Sequence, residues 1–575
     1  MRLFFFHRSP RMISPSPCFA KPLRLVAAAW LGAITAIAPS VAAETRATYY
    51  RPAPAVASDT PPLEADLCIY TANAAGVIAA VQARAMGLSV ILLNPAWHVG
   101  GLTTGGLSFT DLGNKAAIGG RARAFYRTLG QHYGKAEEWN FEPHVAERTL
   151  NTMLRDAGVE PRHGHYVDRV SVSADSGSAP RIREIVTTSG LRVRAAYFMD
   201  CSYEGDLMAR AGVTYTVGRE RNGQYGEWYN GQQIHSSHQF RSKVDPYVRP
   251  GDPTSGLLPG IDPDDTFIPG TADHRVQAYN FRVTMTNRPE NRVPFPKPTG
   301  YDRSRYELLA RLLATGWKDV FAKFDAIQGG KTDTNNHGPF STDYIGGSWR
   351  WPDAGYPERE LIFQDHVNYQ QGYHWFMAND PSVPEAIRTR YAQWGLSRDE
   401  FVDSGHWPRQ LYVREGRRMV SDLVLTERHC ISRIIVDDPI GMGAYQMDSH
   451  NVRRLVHAGM VLNEGDVQVK LPRPYGISYQ SIVPKRSECA NLFVPVAVSA
   501  SHTAFGSIRM EPVFMILAES AATAAAQAFK ANRAAVQDVD YAALRAQLLQ
   551  QAQVLAVDPS VLNSIGNESL TPAAK

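Results

Sequence analysis

The sequence predicts an α/β fold built around a parallel sheet, and three observations carry this prediction. Residues 67–70 and 89–93 are short apolar runs typical of buried strands, and residues 77–86 between them have the composition of a buried helix. Far downstream, residues 492–496 form another apolar strand pattern, and residues 515–531 follow as an alanine-rich segment low in charge. A helix of that composition is suited to close packing on a sheet.

The bulk composition indicates a globular enzyme of two or three domains. At 575 residues the chain exceeds what a single core usually supports. Hydrophobic residues make up 44% and aromatic residues 10% of the chain, which argues against a disordered or fibrous protein. The net charge of +4 is small for this length and the basic residues are scattered, so no nucleic-acid-binding surface is predicted.

The N-terminal 43 residues have the three-part order of a secretory signal peptide. Basic residues precede an apolar stretch at 25–38, and small residues follow it at 41–43. The apolar stretch of about 14 residues is too short to span a bilayer comfortably, and a retained signal anchor is the alternative interpretation. We expect residues 1–43 to be a signal peptide, residues 44–63 a linker, and the mature protein to be periplasmic or secreted without a stable membrane span.

Residues 71–76 form the turn between the first predicted strand and helix, where dinucleotide-binding proteins carry the pattern GxGxxG. The helix N-terminus in such a turn presents free N–H groups to a pyrophosphate. This chain has Thr71, Asn73 and Gly76 at the glycine positions, and Asn94 ends the second strand where an acidic residue normally binds ribose hydroxyls. Asparagine tolerates a positive φ, whereas the β-branched Thr71 crowds a tight turn. Either the turn is shifted, or dinucleotide binding is weakened or lost.

The remaining predicted elements divide the chain into two parts of a first domain and a large insertion. The first part contains a helix at 141–157, a hairpin at 166–173 and 182–188, and a strand at 197–200. The insertion is dense in proline, glycine and aromatic residues, with helical patterns at 306–315, 383–394 and 411–426. A last amphipathic helix is predicted at 537–556. The predicted boundaries are 64–215 and 476–535 for the first domain, 216–475 for the insertion, and 536–575 for a C-terminal helix and tail.

Several segments resemble a family of bacterial FAD-dependent oxidoreductases of the glutathione-reductase type, in the same order and over about residues 64–530. Some members of this family carry the label "xanthan lyase". The segments are HVGGLTTGGL at 98–107, FEPHVAE at 141–147, YEGDL at 203–207, KTDTNNHG at 331–338, REGRRM at 414–419, GMGAYQMDSH at 441–450 and SASHTAFGSIRMEP at 499–512.

The resemblance implies a Rossmann-like FAD-binding domain of three-layer ββα type, with the insertion as an α+β substrate domain. It implies that the glycine-rich run lets the backbone approach the cofactor, that Asp206 binds the ribityl chain, and that His98 contacts the flavin or is covalently linked to it. Asp206 is also placed to cap a helix. The implied cofactor-binding residues are Gly76, Asn94, His98, Gly100, Gly101, Thr103, Gly105, Gly106, Asp206, Gly506 and Arg509.

Three residues are candidates for the chemistry that a flavin enzyme requires of its protein. The guanidinium of Arg509 can hold negative charge on a reduced flavin, although an ion pair with Glu511 or Glu519 is the alternative. His502 lies seven residues earlier and is the first candidate for the base that takes a substrate proton. His450, within the motif at 441–450, is the second candidate base.

The leading interpretation is an FAD-dependent oxidoreductase that oxidises a small organic or carbohydrate-like substrate by hydride transfer, with an electron acceptor that the sequence does not specify. Dense polar residues around Lys331, Asp333 and Asp448 suit a hydroxyl-rich ligand, but surface loops have the same composition. A non-catalytic binding protein on a degenerate flavoprotein fold is one alternative, and a polysaccharide lyase is another. The cysteine spacing predicts no metal site.

Overall fold

The computed structural model describes residues 46–173 and 178–557. The predicted signal peptide and most of the predicted C-terminal tail lie outside the described residues. The strands are β1 Leu63–Tyr70, β2 Val90–Asn94, β3 Arg162–His163, β4 Val167–Ser173, β5 Arg181–Thr187, β6 Arg192–Asp200, β7 Tyr215–Thr216, β8 Val283–Thr286, β9 Arg292–Val293, β10 Phe324–Ile327, β11 Lys331–Thr334, β12 Gly395–Ser397, β13 Arg418–Met419, β14 Pro439–Gly443, β15 Met447–Ser449, β16 Arg453–His457, β17 Met460–Glu464, β18 Val467–Val469, β19 Tyr475–Ser478 and β20 Leu492–Phe493.

The largest sheet has the order β3-β2-β1-β6-β5-β4, and β20 pairs with β6 as its seventh strand. β1 is parallel to β2 on one side and to β6 on the other, and β20 is also parallel to β6. β4, β5 and β6 are joined by antiparallel pairing. The predicted apolar strands therefore form the parallel part of a mixed sheet, whose strand ends are buried as their composition requires.

The described residues form twelve α-helices around this sheet and the smaller ones. They are α1 Ala74–Ala85, α2 Gly120–His132, α3 Pro143–Asp156, α4 Asp206–Arg210, α5 Asn222–Tyr225, α6 Glu307–Ala314, α7 Tyr356–Asn379, α8 Glu385–Tyr391, α9 Glu427–Cys430, α10 His502–Ile508, α11 Glu511–Lys530 and α12 Tyr541–Gln550. Predictions of α1, α3, α6, α8 and α11 are confirmed to within about four residues at each end. The helix predicted at 537–556 is shorter in the structure, where α12 spans Tyr541–Gln550.

Helices α1 and α11 pack on each other at the centre of the molecule. Their small side chains allow this approach, because alanine fills five of the ten buried positions of α1 and seven of the seventeen of α11. Within the described part of the chain, α11 alone has the length and apolar composition to cross a bilayer. Since 89% of the most apolar 18-residue stretch of α11 is buried inside the protein, α11 is buried like a core helix.

The middle of the chain forms a second, five-stranded sheet of order β10-β11-β8-β12-β9, in which each observed pairing is antiparallel. The 24-residue helix α7 has no counterpart among the predicted helices. Polar side chains such as His366, Gln370 and His374 are buried in it beside apolar ones, so the helix lacks the one-sided apolar stripe that identifies a helix in a sequence.

The predicted helix at 411–426 is wrong. This segment is extended, with β13 in its middle, and its backbone amides pair with other parts of the chain. The N–H of Tyr412 donates to the Asn280 carbonyl at 2.8 Å, and that of Leu425 donates to the Ser499 carbonyl at 3.0 Å. These long-range hydrogen bonds override a local helical pattern. The extended backbone also sends the side chains of Arg414 and Arg418 to different buried partners.

Candidate active site

A cavity of about 140 Å³ lies at the carboxyl ends of β1, β2 and β6. Ligands of open α/β sheets bind at this edge, where the first turn of a helix also meets the sheet. We call it the cofactor cavity. Its walls are Arg46 to Tyr49, Arg51, Tyr70 to Asn73, Asn94 to His98, Gly101, Thr104, Gly105, Tyr166, Ser202 to Glu204, Asp206, Asp403, Ser404, Arg409 and Gln410.

The turn from β1 to α1 keeps the shape of a glycine turn without two of its glycines. Thr71 has a φ of 83°, the left-handed conformation that favours glycine and strains a β-branched residue. Asn73 caps α1, because its Oδ1 accepts from the Gly76 N–H at 2.9 Å, while its Nδ2 donates to the Cys201 carbonyl at 2.6 Å. A side chain on Gly76 would overlap the Thr71 carbonyl oxygen. The turn is therefore not shifted.

Asn94 braces this turn from the end of β2. Its Oδ1 accepts from the Ala72 N–H at 3.2 Å, and its Nδ2 donates to the His98 carbonyl at 2.9 Å. Asn94 is buried and still lines the cofactor cavity. A carboxylate in its place could accept from Ala72 but could not donate to His98, so asparagine suits both neighbours.

The glycine-rich run at 98–107 folds back against protein atoms. A Cβ on Gly101 would lie 2.6 Å from the Asn73 Cβ and would overlap the Tyr203 hydroxyl, and a Cβ on Gly106 would overlap the Arg282 carbonyl. Gly100 is left-handed, with a φ of 97°. Close packing within the protein thus requires these glycines. The sequence resemblance had explained them by the approach of the backbone to the cofactor. Their contact with the cofactor remains a prediction, as it does for Gly105.

His98 lies at the cavity wall with both ring nitrogens engaged. Nδ1 is 2.8 Å from Glu147 Oε1, and Nε2 is 2.8 Å from Asp403 Oδ2. Arg409 pairs with the same two carboxylates. A covalent link through either nitrogen would require one of these ion pairs to open.

Asp206 is held in a buried group of arginines. Its carboxylate accepts from Arg359 at 2.7 and 3.1 Å and from Arg417 at 3.0 Å, and Arg210 is 3.3 Å away. Burial would raise the pKa of Asp206, but the charge and hydrogen bonds of Arg359, together with the charges of Arg210 and Arg417, outweigh it and hold the pKa well below the ordinary range. The sequence pattern predicted Asp206 as a cofactor-binding residue but gave no sign of these partners. Two of the three arginines, Arg359 and Arg417, are 153 and 211 residues away from Asp206 in the chain.

Two buried glutamates near the cavity were not predicted from the sequence. Glu204 lines the cavity and accepts from the Trp351 indole at 3.2 Å, and burial raises its pKa to about 7. Glu511 begins α11, and burial likewise raises its pKa to about 7 against the hydrogen bonds it receives. These come from Thr103 Oγ1 at 2.6 Å and from the Tyr203 hydroxyl at 2.9 Å. Glu511 thus joins α11 to the glycine-rich run.

Arg509 precedes Glu511 by two residues and is buried in an ion pair. Its Nη2 donates to Asp448 Oδ2 at 2.6 Å, and its Nη1 donates to the Tyr412 hydroxyl at 2.8 Å. The alternative of a pair with Glu511 or Glu519 is not what the structure shows. Gly506, on the preceding helix, lies against the same aspartate, since a Cβ there would be 2.6 Å from the Asp448 carbonyl oxygen.

His450 lies between two aspartates on the far side of Asp448. Its Nδ1 is 2.6 Å from Asp343 Oδ2, and its Nε2 is 3.4 Å from Asp448 Oδ2. Asp343 in turn pairs with the buried Arg414 at 3.0 Å. His450 therefore connects the Arg509 pair to the Arg414 pair.

His502, at the start of α10, is fully buried and has one free nitrogen. Its Nδ1 is 2.8 Å from Glu415 Oε2, whereas its Nε2 has no hydrogen-bond partner among the described residues. Burial, followed by the charges of Arg418 and Arg219, lowers the pKa of His502 to about 3. With Nδ1–H donated to the carboxylate, Nε2 carries the lone pair.

Gln277 joins the two histidines into one array. Its Nε2 donates to Glu415 Oε2 at 3.1 Å, and its Oε1 accepts from the backbone N–H of His450 at 3.0 Å. All three residues predicted for catalysis are thereby brought together, although 59 residues separate His450 from Arg509 in the sequence. We call the connected set the charged network. Its members are Gln277, Asp343, Arg414, Glu415, Asp448, His450, His502 and Arg509.

Three buried arginines in and beside the charged network keep unused donors. Arg282 Nη1, Arg414 Nε and Arg509 Nε have no hydrogen-bond partner among the described residues. Arg414 and Arg509 both lie over the ring of Tyr412, at 4.6 and 5.6 Å from its centre. Buried donors of this kind are normally satisfied, by ordered water or by another acceptor.

A third polar group contains Glu142, His144 and Glu400, whose ligand atoms are close enough to hold a metal ion. The ammonium of Lys331 already lies among these carboxylates, 2.8 Å from Glu142 and 2.7 Å from Glu400. A cation of the chain itself therefore offsets part of the negative charge of this group, and Asp399 lies 2.7 Å from the same ammonium.

Comparison with known proteins gives a family match over most of the chain. The family described as FAD dependent oxidoreductase matches residues 66–548. A comparison with curated proteins found no match.

Solved structures give partial matches at low identity. The match to AlpK has 19% identity and a TM-score of 0.21, covering 27% of this chain and 35% of that one. The match to 3-ketosteroid-Δ4-(5α)-dehydrogenase from Rhodococcus jostii RHA1 has 16% identity and a TM-score of 0.19, covering 28% and 51%. The match to the anhydrotetracycline hydroxylase OxyS from Streptomyces rimosus has 18% identity and a TM-score of 0.21, covering 28% and 36%. The chain thus spans between about a third and a half of the length of these proteins.

Proposed function

The chain belongs to the FAD dependent oxidoreductase family, and on that basis we propose that it is a periplasmic or secreted enzyme that oxidises a small organic or carbohydrate-like substrate by hydride transfer to FAD. The observation that carries this proposal is the meeting of two features at α11. Glu511 joins this helix to the glycine-rich run beside the cofactor cavity, and Arg509 belongs to the charged network.

The residues of the cofactor cavity fit FAD. The first N–H groups of α1 have no partner within the helix and, with the helix dipole, favour a diphosphate at this end. Trp97, Tyr49 and Tyr166 offer ring surfaces in the same wall, and Asn94 and Glu204 offer polar groups to hydroxyls. The Asn73 cap takes one N–H group from the diphosphate, so the proposed binding depends less on the glycine turn than it does in proteins with an intact GxGxxG.

Bound FAD supplies the electron chemistry, and the charged network supplies position and proton transfer. His502 is neutral over the neutral pH range because burial lowers its pKa. Its Nε2 lone pair can accept a proton from a substrate hydroxyl, while Glu415 on Nδ1 stabilises the positive charge that then forms. His450 remains the second candidate, but both of its nitrogens face carboxylates.

The unused arginine donors support an oxygen-rich substrate. Arg282 Nη1, Arg414 Nε and Arg509 Nε can each donate to a hydroxyl, carbonyl or carboxylate oxygen. Their positive charges are already matched by Asp333, Asp343 and Asp448, which favours a neutral polyol over a strongly acidic substrate. We propose that the predicted inserted domain, residues 216–475, supplies this side of the active site, since Arg282, Asp343 and Arg414 belong to it.

The test is to purify the mature protein from the cell envelope and record its visible spectrum. We expect the two visible absorbance bands of oxidised flavin, and we expect anaerobic addition of sugars, polyols or hydroxy acids to bleach them. A protein that folds but binds no FAD would support the non-catalytic alternative. Unsaturated uronate products formed from a polysaccharide without any flavin would support the lyase alternative.

A further inference from the structure

The first described segment of the chain, residues 46–51, lies across the cofactor cavity. Five of its six residues line the cavity, together with Thr71 in the turn and Gly101 in the glycine-rich run. Accepting the proposed function, we propose that this segment is the outer wall of the FAD site and that FAD leaves only when the segment detaches. We call residues 46–51 the strap.

Side chains of helix α7 form hydrogen bonds with the backbone of the strap. The N–H groups of Tyr49 and Tyr50 donate to the same Glu360 carboxylate oxygen at 2.7 and 2.8 Å. Gln364 Nε2 donates to the Ala47 carbonyl at 2.9 Å. Glu360 and Gln364 are not part of the cavity wall. The attachment can therefore be weakened without substituting a residue that would touch FAD, and of those residues only Arg46 loses a side-chain bond, the one from its Nε to Gln364.

Tyr166 holds the strap from the opposite side. Its hydroxyl donates to the Tyr49 carbonyl at 2.5 Å and accepts from the Arg51 N–H at 3.1 Å. The Trp97 indole adds a bond to the Arg51 carbonyl at 2.8 Å. The Tyr49 ring packs edge-on against Trp351, with ring centres 4.8 Å apart. An extended segment fixed on both sides closes the cavity, yet its few contacts can open locally.

The strap also adds positive charge to the cavity. Neither Arg46 nor Arg51 has a carboxylate partner among the described residues: Arg46 Nε donates to the Gln364 amide at 2.7 Å, and the Arg51 guanidinium lies 4.7 Å over the Trp97 ring. Unpaired guanidinium groups bind phosphate oxygens strongly. In a protein that has lost two glycines of its phosphate-binding turn, the strap arginines supply the missing attraction for the diphosphate.

The double variant Glu360→Ala/Gln364→Ala tests the attachment of the strap. In the FAD-loaded mature protein, we expect FAD to dissociate at least about tenfold faster than from the wild type, because four hydrogen bonds to the strap are lost. Glu358→Ala, on the same helix and paired with the exposed Arg350, is the matched control and should release FAD at the wild-type rate. Limited proteolysis at residues 46–53 should become faster in the double variant alone.

The possible outcomes separate the strap from the proposed function. Faster proteolysis with unchanged FAD dissociation would overturn the strap proposal and leave FAD binding intact. A folded wild-type protein that binds no FAD would overturn both. Should the double variant fail to fold, Tyr166→Phe removes two strap hydrogen bonds while keeping the ring, and the same acceleration is expected of it.

Arg46→Gln/Arg51→Gln tests the charge of the strap separately. We expect FAD affinity to fall about tenfold and its dependence on salt concentration to weaken, because two phosphate-binding charges are removed. Arg155→Gln, at an exposed surface position paired with Asp156, is the control. Unchanged affinity and salt dependence in the double variant would show that the strap closes the cavity without binding the diphosphate.

Discussion

The cofactor cavity and the charged network meet at the start of α11, but the chain builds them in different ways. The cavity is formed largely by short local segments, such as the β1–α1 turn and the glycine-rich run, with pieces of the chain laid over them. The charged network joins side chains from five separate segments between Gln277 and Arg509 through buried ion pairs and hydrogen bonds. A local motif therefore identifies the first region, whereas only the fold reveals the second.

The two regions also differ in how strongly a substitution should affect the stability of the protein. In the cavity, Thr71 and Asn73 change the glycine turn, and the backbone keeps its shape around them. In the charged network, each ionised group depends on a buried partner, so the loss of one group leaves another uncompensated. We expect substitutions in the network to have larger effects than substitutions in the turn.

The largest expected effect is on His502, which would set the rate of the proposed oxidation. His502→Ala should slow flavin reduction by the substrate found in the bleaching test by about 10² to 10⁴, the usual contribution of a general base. FAD binding should be nearly unchanged. The measurement is anaerobic stopped-flow of FAD-loaded protein.

His374→Ala is the matched control for this prediction. His374 is equally buried, and desolvation also lowers its pKa to about 3, but it stacks on Phe295 outside the charged network. This variant should lose stability without slowing flavin reduction. Reduction of His502→Ala at the wild-type rate would transfer the role of base to His450.

Asp206→Ala tests whether the cavity contains a buried ion cluster comparable with the charged network. The substitution leaves the buried Arg359 without its carboxylate and leaves Arg417 only the exposed Asp353, which should lower the free energy of unfolding by about 3 to 5 kcal/mol. Asp168→Ala, exposed and paired with Arg169, should change it by about 0.5 kcal/mol or less. Urea unfolding of FAD-free and FAD-loaded protein gives both values. Lost FAD binding at unchanged stability would instead support the predicted contact with the ribityl chain.

Much of the cavity could be predicted because its signals are local. The β1–α1–β2 unit follows from apolar runs and one glycine, and α11 follows from its alanine content. The strap could not be predicted, because its hydrogen bonds to Glu360 and Gln364 join backbone groups to side chains more than 300 residues away. The prolines that follow the strap in the sequence predict only a linker.

The charged network was predicted only as isolated residues. The motifs at 441–450 and 499–512 drew attention to His450, His502 and Arg509, and the fold places them in one array. Their partner Asp343 had no distinguishing pattern in the sequence, and Glu415 lay in the motif at 414–419 with no sign of its role. An extended backbone at 411–426, where a helix was predicted, is what orients Arg414 and Glu415 toward them.

Glu511→Gln tests the boundary between the two regions through the pH dependence of stability. Because burial raises the pKa of Glu511 to about 7, the folded state binds its proton more tightly than the unfolded state does. This contribution to stability is fully present below the ordinary glutamate pKa and is lost as the pH rises through about 7. The variant, which mimics the protonated form, should therefore unfold at higher urea concentration than the wild type at pH 8 but not at pH 4.

Glu519→Gln provides the control, since burial also raises the pKa of Glu519 to about 7 on the same helix, away from the cavity. Both variants should show the same direction in unfolding experiments. Only Glu511→Gln should change FAD binding, because Glu511 alone bonds Thr103 and Tyr203 of the cavity region. An identical effect of the two variants on FAD would show that Glu511 is a structural residue.

The smallest expected effect separates the two altered positions of the glycine turn. Thr71→Gly removes a β-branched side chain from a left-handed conformation, so it should raise the free energy of unfolding by about 1 kcal/mol after the added flexibility of the unfolded chain is subtracted. Asn73→Gly should give no such gain, because it removes the cap of α1 and the bond to Cys201. Ala458→Gly, at another position of positive φ, is the control for glycine itself. Unfolding is measured with and without FAD, and the difference reports how tightly each variant binds FAD. Tighter FAD binding in Thr71→Gly would show that strain at this residue opposes the cofactor. Weaker binding would show that the threonine makes a cofactor contact of its own.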